Sequence, residues 1–207
     1  MQHHITLSDI EAQDKIYRLN LINSVSGYKS AQLIGTRSEA GKENLAVFSS
    51  VIHLGSNPPY IGFILRPTTV PRHSYSNFKA HGSFSLNAIT ADQIAAAHHS
   101  SASYPEGISE FEKTGLVAET KAGTHIPFVK GSPIQLLCSY ENEYLIKENN
   151  TLLIVGMIQE LFIDEGLLLE DGWVQLDKGK IVSINGLDGY ALPQLLDRFP
   201  YARPKTD

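Results

Sequence analysis

The stretch from Asn44 to Thr69, N-L-A-V-F-S-S-V-I-H-L-G-S-N-P-P-Y-I-G-F-I-L-R-P-T-T, leaves this chain few folds to choose from. Leu45 to Leu54 is apolar on both faces, which predicts a strand covered on both sides. Its interruptions, Ala46, Ser49 and Ser50, are small or hydroxylated where a strand interior normally carries bulk. Gly55-Ser56-Asn57-Pro58-Pro59 supplies turn residues, and a second buried strand is predicted from Tyr60 to Leu65. That run ends in Arg66-Pro67-Thr68-Thr69, where a guanidinium and two hydroxyls suit a phosphate. A flat polar ring beside the first strand and a phosphate beyond the second would account for both features.

Composition narrows the class further. With 207 residues, 42% of them hydrophobic, the chain can build a sizeable core, and no linker divides it. One elaborated domain over residues 1–207 is expected. Net charge is −5, and the 17 lysines and arginines form no block able to track a phosphate backbone, which argues against nucleic acid. The amino terminus lacks the order of a signal peptide, and no apolar run approaches the ~20 residues of a membrane span. The single cysteine, Cys138, excludes an internal disulfide framework and suits a reducing compartment. A cytoplasmic protein with no membrane partner is expected.

Along the chain, Ser8 with Glu11 reads as a capping box opening a helix from about Asp9 to Ile22. A strand from Ala31 to Arg37 and a turn at residues 38–42 lead into the central stretch. Residues 70–80 are expected to end in a short helix closed by Gly82, whose free amides would strengthen a phosphate site. Ser83 to Ile89 alternates like a half-buried strand, Ala91 to His98 reads as a helix, and a helical piece is expected around Glu110. Residues 123–132 read as a loop. Two long strands, Pro133 to Lys147 and Thr151 to Asp164, exceed ordinary lengths, so bulges are expected, one near Gly156. A short strand at Ile181 to Ile184 and a helix from Leu192 to Phe199 complete the prediction. Strands around one core with helices at the side point to a mainly β barrel with α additions.

The order N-L-A-x-F-S-S, N-P-P, an apolar strand, R-P-T/S, Ser74-x-x-Asn77 and Gly82-x-Phe84-x-x-Asn87 resembles the flavin reductase-like family, over roughly Leu19 to Ile163. The resemblance implies an FMN-binding split β-barrel of Greek-key type, working as a homodimer with the flavin at the subunit interface. It implies that Ala46, Val47, Phe48, Ser49 and Ser50, with the Asn44 amide, meet the polar edge of the ring. Arg66, Thr68, Thr69, Arg72 and Ser74 would meet the phosphate, with Asn87 and Asn77 as weaker candidates. From the residues alone, the serines are equally well read as satisfied core hydroxyls. A cluster like Arg66 and its neighbours is, from the residues alone, more commonly an ordinary solvated turn.

Other chemistries find less support. His98 and His99 are adjacent, so on a helix they diverge by ~100° and form no chelating pair, and no metal is expected. No G-x-G-x-x-G and no P-loop is present, so NADH or NADPH would visit only as a substrate. A flavin would do the bond-making, which explains why no acid, base or nucleophile stands out. The expected activity is an oxidoreductase passing electrons from a reductant such as NAD(P)H to free flavin, oxygen or a partner. One departure counts against it: where many relatives carry the histidine of a D-H-T-L sequence, this chain reads Asn149-Asn150-Thr151-Leu152. A non-catalytic FMN carrier is therefore the alternative, and a barrel holding another planar ligand such as haem a third. Cys138 lies in an apolar strand and reads as a buried structural thiol.

Overall fold

A computed structural model describes residues 1–105, 107–121 and 123–204. Its elements in chain order are helices α1 (Leu7–Ala12) and α2 (Lys15–Val25), then strands β1 (Lys29–Ser30), β2 (Gln32–Arg37), β3 (Glu43–Phe48), β4 (Ile52–Ser56) and β5 (Pro59–Leu65). Helix α3 (His73–His81), strand β6 (Ser83–Ala88) and helices α4 (Ile94–His99) and α5 (Glu110–Thr114) follow. The chain continues through β7 (Ala118–Thr120), β8 (Pro127–Val129), β9 (Ile134–Ile146), β10 (Thr151–Ile163), β11 (Ser183–Asn185) and β12 (Gly189–Ala191).

Seven strands form one antiparallel sheet in the order β3-β2-β6-β9-β10-β5-β4. Its two edge strands, β3 and β4, are consecutive in sequence, with residues 49–51 alone between them. Four Cα steps can span at most about 15 Å, so the sheet has to curl until its edges nearly meet. The result is a barrel split between β3 and β5, with β4 folded back on β5. The predicted single strand from Leu45 to Leu54 is thus two strands on opposite edges of the sheet. The break falls at the serines, where Ser50 Oγ donates to Ile64 O and accepts from Ile64 N, both at 3.1 Å. One hydroxyl does for Ile64 what a ladder partner would.

The curl encloses a core drawn from strands around the whole sheet: Ile34, Ile61, Phe63, Phe84, Leu86, Cys138 and Ile154, capped by Phe78 of α3. Phe63 meets Phe48, Phe78 and Phe84 edge-on, with ring centroids 5.2, 6.0 and 5.5 Å apart. Burial pushes the Cys138 thiol up to about 12, which fits an inert structural cysteine. A second core lies on the outer face of β2 and β3, where Leu33, Leu45, Ile89, Phe111, Val129 and Ile184 pack. The alternation of Leu33 and Ile34 between the two cores is the strand period of two. The long β9–β10 hairpin shifts register between Val155 and Gly156, at the predicted place, and again between Ile158 and Glu160. A side chain at Gly156 would put its Cβ 2.7 Å from Phe84 Cζ, so the bend and the core share this glycine.

Where several local signals compete, the structure departs from the expected elements. The amino-terminal helix is two helices. Thr6 and Asp9, not Ser8 and Glu11, form the capping box, and Asp14 caps α2 by accepting from the Ile16 and Tyr17 amides. The predicted loop at residues 123–132 contains β8, which pairs with β7. The strand predicted at Ile181–Ile184 is β11, Ser183–Asn185, and residues 91–93 make a 3-10 turn before α4. Residues 192–199 form no helix. Pro193 and Pro200 bracket this stretch, and Leu196 and Phe199 stay 90% and 80% exposed, so no packed face supports a short helix.

Replacing Ser50 by alanine leaves the Ile64 N–H and C=O without the hydroxyl across the split. A loss of about 1–3 kcal/mol in equilibrium unfolding by urea is expected. A change of a few tenths would mean that water serves Ile64 equally well.

Candidate functional site

The split opens into a cleft of about 740 Å³. Its walls come from β3, the serine crossing, the end of β5 with Arg66, and the first turn of α3. Further walls come from the end of α4 with residues 100–104, Glu110 of α5, and the β11–β12 turn. Of the sequence-predicted residues, Asn44, Ala46, Val47, Phe48, Ser49, Ser50, Arg66, Arg72 and Ser74 all line it.

The edge strand β3 presents backbone to this cleft. In an antiparallel pair, alternate residues turn their N–H and C=O away from the partner. Leu45, opposite Gly35, gives its N–H to Glu110 Oε2 at 2.9 Å, which fixes the phase. Two residues on, Val47 likewise directs its N–H and C=O off the sheet edge, where a planar polar ring can take them. Ser50 differs from expectation, because its hydroxyl already serves Ile64. Ser49 is the serine whose hydroxyl the cleft retains.

Helix α3 brings the cationic wall. Its N-cap, Arg72, makes no side-chain capping bond, and its first turn holds no acidic residue, so the leading amides remain open to an anion. Arg72 Nε is buried with no partner. Neither Arg72 nor Arg66 pairs with a carboxylate among the described residues. The helix is pinned by a buried polar knot: Asn44 Nδ2 donates to Ser74 Oγ at 2.9 Å and to Thr36 Oγ1 at 3.3 Å, and Asn77 Nδ2 donates to Thr36 Oγ1 at 3.0 Å. Asn44 and Asn77 thus position the helix, and Ser74, accepting from Asn44, keeps its own proton to donate.

Four predicted residues are not brought to the cleft lining: Thr68, Thr69, Asn87 and the weaker candidate Asn77, which lies in the buried knot behind it. Thr68 and Thr69 sit exposed in the turn after Arg66. Asn87 is fully buried on β6, donating to Leu33 O and Ser85 Oγ and accepting from Val129 N, so its amide belongs to the scaffold. Conversely, Glu110, His73, His98, Asp188 and Tyr190 line the cleft unforeseen. Contacts across 65 residues, as for Glu110 with Leu45, leave no mark on local spacing. Asn150 adopts a left-handed φ of 57° in the β9–β10 turn and is not in the lining.

The fold and cleft define a split-barrel protein whose cleft joins a free β-strand edge to two arginines that pair with no carboxylate among the described residues. The family model of the flavin reductase like domain matches residues 28–175, and the chain belongs to that family. A structure of a candidate flavin reductase with a split barrel domain from Shewanella frigidimarina NCIMB 400 is 38% identical. It covers 97% of this chain and 100% of its own, with a TM-score of 0.94. Nitrilotriacetate monooxygenase component B from Bacillus cereus shares the fold at 20% identity, with a TM-score of 0.81 over 97% of this chain and 99% of its own. An uncharacterized protein of Halalkalibacterium halodurans is 31% identical over 111 residues, 53% of each chain, so this chain spans about half the length of that curated relative. No helix among the described residues is long and apolar enough to cross a membrane.

The residues present fit a flavin. The outward backbone of Val47 suits the ring edge, and the orphaned Arg72 Nε with the uncapped α3 amides suits a phosphate. Burial pushes the Glu110 carboxyl above its ordinary value of 4.5, while the Leu45 N–H and His73 pull it down less strongly. The fold therefore favours the protonated acid. Its contribution to stability is full below pH 4.5 and is lost as pH rises through the raised value. Glu110→Gln keeps an acceptor for Leu45 and cannot ionise. Wild type should lose stability relative to this variant in urea unfolding as pH rises above 4.5. A gap moving the other way would mean that the charged form is preferred.

Proposed function

We propose that the cleft binds FMN, with the ring edge along β3 and the phosphate held by Arg66, Arg72, Ser74 and the leading amides of α3. The observation that carries this reading is the pair of unpaired guanidinium groups, one with a buried orphan nitrogen, beside an uncapped helix end. Such a wall suits an anion. When bound, the flavin supplies electron transfer. The chain supplies binding, orientation and an open side for a second molecule. We read the protein as an oxidoreductase that passes electrons from a reductant such as NADH or NADPH to free flavin, oxygen or a partner.

The same reading makes the protein a homodimer. Helices α1 and α2 bury no residue, and Leu7, Ile16, Ile22 and Val25 stand half to three-quarters exposed. With the exposed Leu196, Phe199 and Tyr201 of the carboxyl-terminal stretch, they form apolar surface of the kind a second copy covers. The carrier reading is favoured by Asn150, since the asparagine that stands for the relatives' histidine lies outside the cleft of its own chain.

Arg66→Ala should weaken FMN by about 2–3 kcal/mol and leave riboflavin binding nearly unchanged in fluorescence titrations. Equal loss for both flavins would put Arg66 away from the phosphate. In the FMN-loaded protein, anaerobic NADH or NADPH should bleach the flavin of a species sedimenting as two chains. A monomer with stoichiometric FMN would remove the dimer, and absence of bleaching with either nicotinamide would leave the carrier.

A further inference from the structure

The α4 and β12 walls of the cleft carry a feature that flavin binding leaves unused. His98, in the last turn of α4, and Tyr190, on β12, are 92 residues apart in sequence, yet His98 Nδ1 lies 3.3 Å from the Tyr190 hydroxyl. Their rings meet edge-on, with centroids 5.8 Å apart. Both line the same cleft as the β3 edge. Tyr104, also in the lining, meets the neighbouring His99 edge-on with ring centroids 6.0 Å apart.

The charges around it restrict what it can hold. The lysines and arginines of the lining, among the described residues, are Arg66 and Arg72, both on the anion wall. The His98–Tyr190 wall has Asp188 instead, which disfavours a second phosphate. Burial pushes the Tyr190 phenol above its ordinary value, and the Asp188 charge adds to this, so the group stays an O–H donor at neutral pH. With His98 Nδ1 protonated toward the phenolic oxygen, the Tyr190 proton is free to point into the cleft.

We propose that His98 and Tyr190 form a subsite for the second molecule, a small, uncharged, planar ring whose carbonyl oxygen accepts from the Tyr190 hydroxyl. This rests on the flavin reading of the neighbouring wall. The carbonyl has two sources, the carboxamide of a nicotinamide ring or a free quinone-type acceptor. The geometry serves either, since each offers a flat face and an sp² oxygen.

The test uses FMN-loaded wild type, Tyr190→Phe and His98→Gln, with nicotinamide and menadione as separate probes. FMN affinity is read by fluorescence, and probe affinity by saturation-transfer NMR. Tyr190→Phe keeps the ring and loses only the hydroxyl, so a roughly five- to tenfold rise in Kd for at least one probe is expected, with FMN affinity unchanged. His98→Gln should give a smaller rise for the same probe. An effect on nicotinamide alone identifies the reductant's ring as occupant, and one on menadione alone identifies a free carbonyl acceptor. Probe affinities equal in all three proteins, or no probe binding to wild type, would overturn the subsite while the flavin reading stands. Failure of wild type to bind FMN would instead overturn the flavin reading.

Discussion

The structure depends on a short crossing. Residues 49–51 join the two edges of a seven-stranded sheet, and that tether forces the sheet to curl around its aromatic core. A curl that closed fully would leave no site. Here the edges stop short, and Ser50 meets both polar groups of Ile64 across the gap. The hydroxyl allows the barrel to remain split without stranding backbone donors and acceptors, which is what a buried opening otherwise costs. The same gap leaves the β3 edge free to face a ligand.

Helix α3 links this scaffold to the anion wall. Its inner side is fixed through Phe78 in the barrel core and through the Asn44, Ser74, Thr36 and Asn77 knot. Its outer side is fixed to β9, where Tyr75 and Tyr140 both donate to Glu143 at 3.0 and 2.9 Å, and Lys79 donates to Tyr140 at 3.0 Å. Burial above all keeps both phenols in their acid form, as donors to that carboxylate. An exposed ion pair such as Lys79 with Glu143 is worth little alone, but shared bonds from two elements set an orientation. The uncapped end of α3 can stay uncapped because the rest of the helix is held so firmly.

Charge is arranged with similar separation. The arginines lie on one wall, while Glu110 on another holds the β3 edge through Leu45, its buried carboxyl leaning toward the neutral acid. Asp188 and the His98–Tyr190 pair belong to elements from the far carboxyl-terminal part of the chain and from α4. The cleft is thus assembled from segments that have nothing in common in sequence.

What the sequence determined by itself were features decided within a few residues of one another. Alternation marked β6, the turn at residues 148–150 separated β9 from β10, Gly82 ended α3, and the apolar run followed by Arg66 marked residues that line the cleft, because pleat period and turn chemistry are local. Most of the β3 and α3 side of the cleft was legible for that reason. Only the tertiary structure decided that Leu45 to Leu54 is two strands on opposite sheet edges and that Ser50 and Asn87 serve the scaffold. It also decided that Thr68 and Thr69 lie outside the cleft lining, and that Glu110, His98 and Tyr190 belong to it. Those outcomes depend on which hydrogen-bond partner arrives from 14 to 92 residues away. A serine or asparagine has the same local signature whether it meets a ligand or a strand, and the partner supplied by the fold makes the difference.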